Sequence, residues 1–340
     1  MVHNKIYLGI DGGATKLLAQ AAKYDAINQI LIPVGPNSEF IYNPNKIISN
    51  RVYTTLENQL NQFNNNIILT EDEKFQEEYV VRSIVTIIVS NVKKEKMIAG
   101  VSICFPGIKT SDNGGVAVMK NGSRMPNLIK KIKTGLLYNN IDETILNQKL
   151  LNDSDCSITG ELRTDLGIID HDKNTIFIGG GTGIADGILI NKKLISFNKN
   201  TDLKRSWEIV LSTGKTIEDS LSLNGIISAW NKTQDIKVNS IEKILILANR
   251  GNEDAQYLIN EMIDALLYLI KTRIVFFEKK NIYFEEIIIA HRLGQIFNNK
   301  KYSYLLETFA EKYKYSILLK YSVCRETAAL GAIWENYVSK

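Results

Sequence analysis

Two stretches of this 340-residue chain share one pattern: an apolar run ends at a glycine cluster and a second apolar run begins a few residues later. The first is "YLGIDGGATKLLAQAA", residues 7–22, and the second is "NTIFIGGGTGIADGILINKKLI", residues 174–195. Apolar runs this short, broken by glycine, read as strand–turn–strand units. One unit in each half confines the chain to sheet-containing folds and amounts to a weak internal duplication. The remaining pattern is α/β. Residues 5–11, 16–24 and 28–34 read as a β-meander, 44–63 as helix and 97–104 as strand, with 115–120 continuing the alternation. A further strand ends near 151, helix follows it at once, and 217–280 and 302–338 read as mainly helical apart from a strand at 285–290.

Glycine lets a ligand approach the backbone with no Cβ in the way, and it leaves successive N–H groups free to face an anion. "DGGATK" offers Gly12 and Gly13 for close approach, the Thr15 hydroxyl as a donor and Lys16 as a cation. Asp11 beside them repels phosphate oxygens unless a divalent cation or its water shell intervenes, which points to Mg²⁺. The plainer alternative is a hairpin whose turn merely requires glycine. The second turn, "GGGTG" from Gly179 to Gly183, again sets a threonine among glycines, so Gly180, Gly181, Thr182 and Gly183 form a second candidate cradle. Two such turns suit one polyphosphate. Neither fits G-x-x-x-x-G-K-[ST] or a G-x-G-x-x-G that opens a helix, so the P-loop and dinucleotide readings fail.

"LLNDSDCSITGEL" sets Asn152 and Asp153 where an apolar strand passes into a helix. That position presents a carboxylate at the carboxyl end of a strand, where α/β folds bind ligands. Asp153 there can orient a hydroxyl and take its proton. The competing reading is an Asn/Asp helix N-cap with no further role.

At this length two domains, or two lobes, are expected. A hydrophobic fraction of 44% with 23% charged residues excludes disorder. The 41 basic and 37 acidic residues are scattered, and "VKKEK" and "IKKIK" read as solvated faces, so no nucleic-acid footprint is expected. Cys104, Cys156 and Cys324 lie too far apart for a disulfide framework or a paired metal motif. No signal-peptide pattern and no apolar run of membrane-spanning length is present, so a cytoplasmic protein without a membrane partner is expected.

Taken in order, these motifs resemble the sugar kinase/actin/heat-shock ATPase superfamily, and within it the ROK-type sugar kinases and related N-acetylglucosamine kinases. "GIDGGATK" is similar to the first phosphate motif, "CFPGIKTSDNGGV" to the Pro-Gly loop and "SRMPNL" to the segment before the sugar site. "LLNDSDCSITGEL" is similar to the Asn-Asp motif, and "GGGTGIADGILINKKL" to the second phosphate motif. The resemblance implies an α/β, two-lobe actin/hexokinase-like (ribonuclease H-like) fold with mixed sheets flanked by helices. It divides the chain into residues 1–150, with the terminal helix 323–340 returning to them, and 151–322.

As function the resemblance implies ATP-dependent phosphorylation of a hexose or N-acetylhexosamine with Mg²⁺. It makes Asp153 the general base, and Asn127, Asn152, Glu208 and Glu218 sugar ligands. Departures are visible too. Leu211 replaces the histidine expected three residues after Glu208, and the cysteine cluster for structural zinc is missing. "IIIAHRLGQIF" keeps only Gly294 of the adenosine motif, with Ala290, His291 and Arg292 where a glycine pair is usual. His291 reads either as a nucleobase contact or as a packing residue, and Trp207 either as a sugar-pocket wall or as core. Two other functions stay open: a sugar-binding pseudokinase or sensor, and an activator-type ATPase of a 2-hydroxyacyl-CoA dehydratase system. The oligomeric state is open as well, a homodimer among the options.

Overall fold

The computed structural model describes residues 5–13, 15–43, 53–63, 66–95, 98–120, 122–197, 200 and 202–339. The chain divides into two compact units, Met1–Gly167 with Glu326–Lys340, and Ile168–Arg325. The boundary falls at Gly167, beyond the helix that a division near residue 150 would give to the second lobe.

In unit 1, β1 (Ile6–Gly12), β2 (Lys16–Asp25) and β3 (Ile30–Ile41) form the meander, followed by β4 (Ile98–Phe105), a short ribbon of β5 (Ile108–Lys109) and β6 (Val116–Val118), and β7 (Leu151–Asn152). The sheet order is β3-β2-β1-β4-β7, antiparallel through the meander and parallel from β1 to β4 to β7. The turn after β2 is fixed by Asp25, whose Oδ1 accepts the amides of Ile27 and Asn28 at 2.9 and 3.3 Å. Parallel pairing requires a crossover. A helix over Glu71–Lys94, begun by a capping box between Thr70 and Glu73, supplies it. Leu8, Ile10, Ile84 and Ile88 are fully buried between this helix and the sheet.

Unit 2 repeats the plan. Strands β8 (Thr175–Gly180), β9 (Ile184–Ile190), β10 (Lys193–Leu194), β11 (Glu286–Ala290) and β12 (Leu318–Tyr321) are ordered β10-β9-β8-β11-β12, with β8, β11 and β12 parallel. The weak duplication in the sequence is therefore a duplication of topology: an antiparallel three-strand meander extended by two parallel strands. The helix Glu253–Lys279 buries one face, including Ile259, Met262, Leu266, Ile270 and Phe277, against this sheet's core.

Two expectations need correction. Residues 318–321 lie in a stretch read as helical but form strand β12, because the apolar run "SILL" pairs in parallel with β11, Ile287 opposite Leu319. Of the expected helix 44–63, the helix described is Leu56–Gln62, and 44–52 lie outside the described residues.

Candidate functional site

In unit 1 the parallel strands end side by side. Asp11 of β1 is in register with Cys104 of β4, and Cys104 with Leu151 of β7. Asp11, the loop after β4 and the Asn152–Asp153 pair thus emerge from adjacent carboxyl ends, where sheets of this class carry their ligands. Burial pushes the Asp11 carboxyl up to about 7, and the charge of Asp153 adds to the rise, while Lys16 and the Cys104 thiol oppose it. The Cys104 Sγ stands 3.8 Å from Asp11 Oδ1. Asp153 is also raised by burial, and its chief opposing influence is Lys109, ahead of the Ser154 amide.

Lys109 carries no signal in the sequence, where a lysine after a Pro-Gly turn reads as solvated. Its Nζ donates to Phe105 O and Gly107 O, both at 2.7 Å. Burial lowers its pKa, and Asp153 is the strongest influence holding it up. The strand register explains the proximity, because Phe105 pairs with Asn152, the neighbour of Asp153.

The helix Asp153–Arg163 is capped by Asn152, whose Oδ1 accepts the amides of Ser154 and Asp155 at 3.0 and 3.2 Å. Asp153 is the first helical residue, and the capping duty belongs to its neighbour. Asn127 precedes the helix Leu128–Tyr138 without making a side-chain cap, and its backbone N–H donates to Glu77 Oε1 at 2.9 Å.

The first glycine turn spends much of its chemistry on the fold. A Cβ on Gly12 would stand 2.0 Å from the Phe105 ring, so glycine there is a packing requirement. The Gly13 amide closes the hairpin onto Lys16 O at 2.9 Å. Lys16 Nζ pairs with Glu39 Oε1 at 2.5 Å. The Thr15 side chain is exposed.

In unit 2 the Gly181 amide donates to Gly183 O at 2.9 Å, and Gly181 O accepts the Leu223 amide at 3.1 Å. A Cβ on Gly181 would meet nothing within 4 Å. Thr182 and Gly183 complete the turn, half-exposed, and Gly180 is buried against Leu293. Glu218, expected among the sugar ligands, is buried at the exit of this turn, with Oε2 3.5 Å from the Ile184 amide. Glu208 is exposed, and its Oε2 accepts the Arg205 amide at 2.7 Å. Gly294 is buried in the helix His291–Phe297, where a Cβ would lie 2.2 Å from Ser322 O.

His291 adopts φ 59°, a conformation that costs a non-glycine residue energy and is enriched at functional positions. Its imidazole occupies the space where a Gly179 side chain would be, 2.6 Å from Nδ1 to the would-be Cβ, and meets the Phe177 ring edge-on at 5.7 Å. Burial pulls its pKa down to about 4. A group lowered from its ordinary 6.5 contributes stability that is complete above that value and is lost as pH falls through about 4. His291→Asn, which tolerates the same φ, is expected to flatten the acid limb of a Tm-versus-pH curve between pH 6.5 and 4. An unchanged limb would place the imidazole in water.

Among the described residues no three His, Cys, Asp or Glu side chains converge as a metal cage. Mg²⁺ is usually held by one or two carboxylates with phosphates and waters. The half-buried carboxyl of Asp11, at the carboxyl end of β1, suits that mode. Among the described residues no helix is long and apolar enough to cross a membrane.

No protein-family model matches the chain, and no curated protein matches it. Solved structures do. The ROK hexokinase of Thermus thermophilus superposes with a TM-score of 0.60 at 12% identity, covering 98% of both chains. A ROK-family glucokinase of Streptomyces griseus, solved with glucose and AMPPNP, gives 0.58 at 15%, covering 96% of this chain and 97% of the other. A ROK-family transcriptional regulator, homologous to the E. coli MLC protein, gives 0.55 at 14%, covering 97% of this chain and 78% of the regulator. The chain has the α/β fold of the ROK sugar kinases, two mixed sheets flanked by helices.

Proposed function

We propose that this chain is a sugar kinase that transfers the terminal phosphoryl group of ATP to a hydroxyl of a hexose or N-acetylhexosamine. The observation that carries the reading is Asp153, a half-buried carboxylate relieved of helix capping by Asn152 and balanced by Lys109 at the carboxyl ends of β4 and β7. Burial brings its pKa toward the operating range of a general base. Asp153 orients the acceptor hydroxyl and takes its proton while the hydroxyl oxygen bonds to phosphorus and the bond to the bridging oxygen breaks, releasing ADP. Asn127 and the amide nitrogen of Asn152 bind sugar hydroxyls, with Glu208 and Glu218 as further sugar ligands. Thr15, Lys16 and the turn Gly180–Gly183 bind the donor phosphates, and Gly294 packs below the nucleoside. Asp11 would hold Mg²⁺, and the cation would supply charge neutralisation for the phosphates.

A coupled ADP-release screen over glucose, N-acetylglucosamine, N-acetylmannosamine, mannose, fructose and glucosamine tests the reading, with turnover expected on at least one. Gly181→Val is expected to weaken ATP binding by at least about tenfold and to leave sugar affinity and Tm unchanged. The open space at its Cβ belongs to the ligand in this reading, and isothermal titration of each ligand separates the effects. Equal loss of both ligands, or unfolding, returns the turn to a purely structural role.

A second reading, sugar binding without phosphoryl transfer, is favoured by His291, which puts an imidazole and a strained backbone beside the second glycine turn. Sugar binding with no ATP binding in the same titration would establish it. The activator-type ATPase fits less well. Its cluster-binding cysteines must face a subunit boundary, whereas Cys104 and Cys156 are 0% and 1% exposed, with Cys104 Sγ on Ile10 O at 3.6 Å and Ala328 O at 3.5 Å.

A further inference from the structure

Tyr42 follows β3 and is tied to the first glycine turn, its N–H donating to Thr15 O at 3.0 Å. The residue is 3% exposed. Its ring packs near Phe40 and Tyr79, with centroids at 6.1 and 5.8 Å. The Tyr79 hydroxyl accepts the Asn43 amide at 3.0 Å, but the Tyr42 hydroxyl has no hydrogen-bond partner among the described residues.

A buried tyrosine hydroxyl ordinarily finds a partner, since leaving one unmade forfeits the water it gave up. Other buried atoms share this state, among them the Ser220 and Thr327 hydroxyls. Tyr42 differs in its surroundings. Burial pushes its pKa up, and the neighbouring Tyr79 and the Asp11 carboxylate push it further, so it stays a neutral O–H donor. The same turn carries Thr15, which is exposed, and Lys16, whose Nζ pairs with Glu39.

We infer that the Tyr42 hydroxyl is a binding group of the first glycine turn, donating its hydrogen bond to a terminal phosphate oxygen of the phosphoryl donor. The inference rests on the sugar-kinase reading and adds to it a residue that no motif marks. The removed group would be one the empty protein does not use.

Tyr42→Phe is the test, with Tm of the ligand-free protein and titrations of Mg-AMPPNP, Mg-tripolyphosphate and the sugar that turns over fastest. Ligand-free Tm is expected to stay or rise. Affinity for both triphosphates is expected to fall by roughly 10–100-fold, the worth of a hydrogen bond to a charged oxygen, with sugar affinity unmoved. A Tm several degrees lower would mean a trapped structural water and overturn the inference. So would a loss confined to the sugar, or triphosphate affinity equal to wild type. Wild-type protein that binds neither triphosphate overturns the kinase reading, and this inference with it.

Discussion

Asp153→Asn is expected to lower kcat by roughly 10²–10⁴, the usual worth of a positioned acid–base group, with Tm unchanged or raised and sugar affinity little altered. The two readouts move apart for a physical reason. Burial makes the Asp153 charge a cost to the ligand-free fold, and the helix keeps its cap because Asn152 provides it, so the amide costs the protein nothing in stability. What it removes is the proton acceptor. A steady-state rate within about threefold of wild type, against that expected loss, would sink the assignment. The search would then move to Asp155, Glu161 and Glu208.

Gly160→Ala is expected to lower the Tm of unit 1 by roughly 10 °C, a loss of several kcal/mol. Gly160 lies in the helix that begins with Asp153, and a Cβ there would stand 1.8 Å from Thr327 O. The contact is reciprocal, since a Cβ on Gly331 would stand 1.8 Å from Cys156 O. The two helices, Asp153–Arg163 and Thr327–Ile333, cross backbone to backbone, and neither carbonyl can retreat without moving its helix. Calorimetry checks the prediction. A melt unchanged within a degree or two would show that the helices separate at little cost.

Much of this was legible in the chain. Both strand–glycine–strand units, the strand at 285–290 and the junction at Asn152 follow from apolar runs and their breaks, which are local properties. What escaped depends on pairing across the chain. Strand β12 carries the same apolar residues a helix would, and its register with β11 alone makes it a strand. Lys109 gains meaning from the alignment of Phe105 with Asn152, and Tyr42 from its bond to Thr15. The glycines show the opposite limit. Gly12 and Gly13 were singled out as phosphate contacts, yet their nearest demands are the Phe105 ring and the Lys16 carbonyl. A ligand-facing glycine and a packing glycine leave the same letter in a sequence.

Helix Thr327–Ile333 belongs to unit 1 although the whole of unit 2 lies between it and the rest of that unit. It fits against the first strand too, for a Cβ on Gly9 would stand 1.8 Å from Ala329 O. During synthesis the ribosome therefore releases β1 and the Asp153 helix long before the element that covers them exists. Ile176, Ile188 and Leu266 can close their own core earlier, because every strand of that sheet is contiguous in the chain. Vectorial folding then matures the second-made unit first. Asp11 and Asp153 reach their final surroundings only after residues 327–333 have emerged from the ribosome, so a shorter nascent chain carries no assembled candidate site.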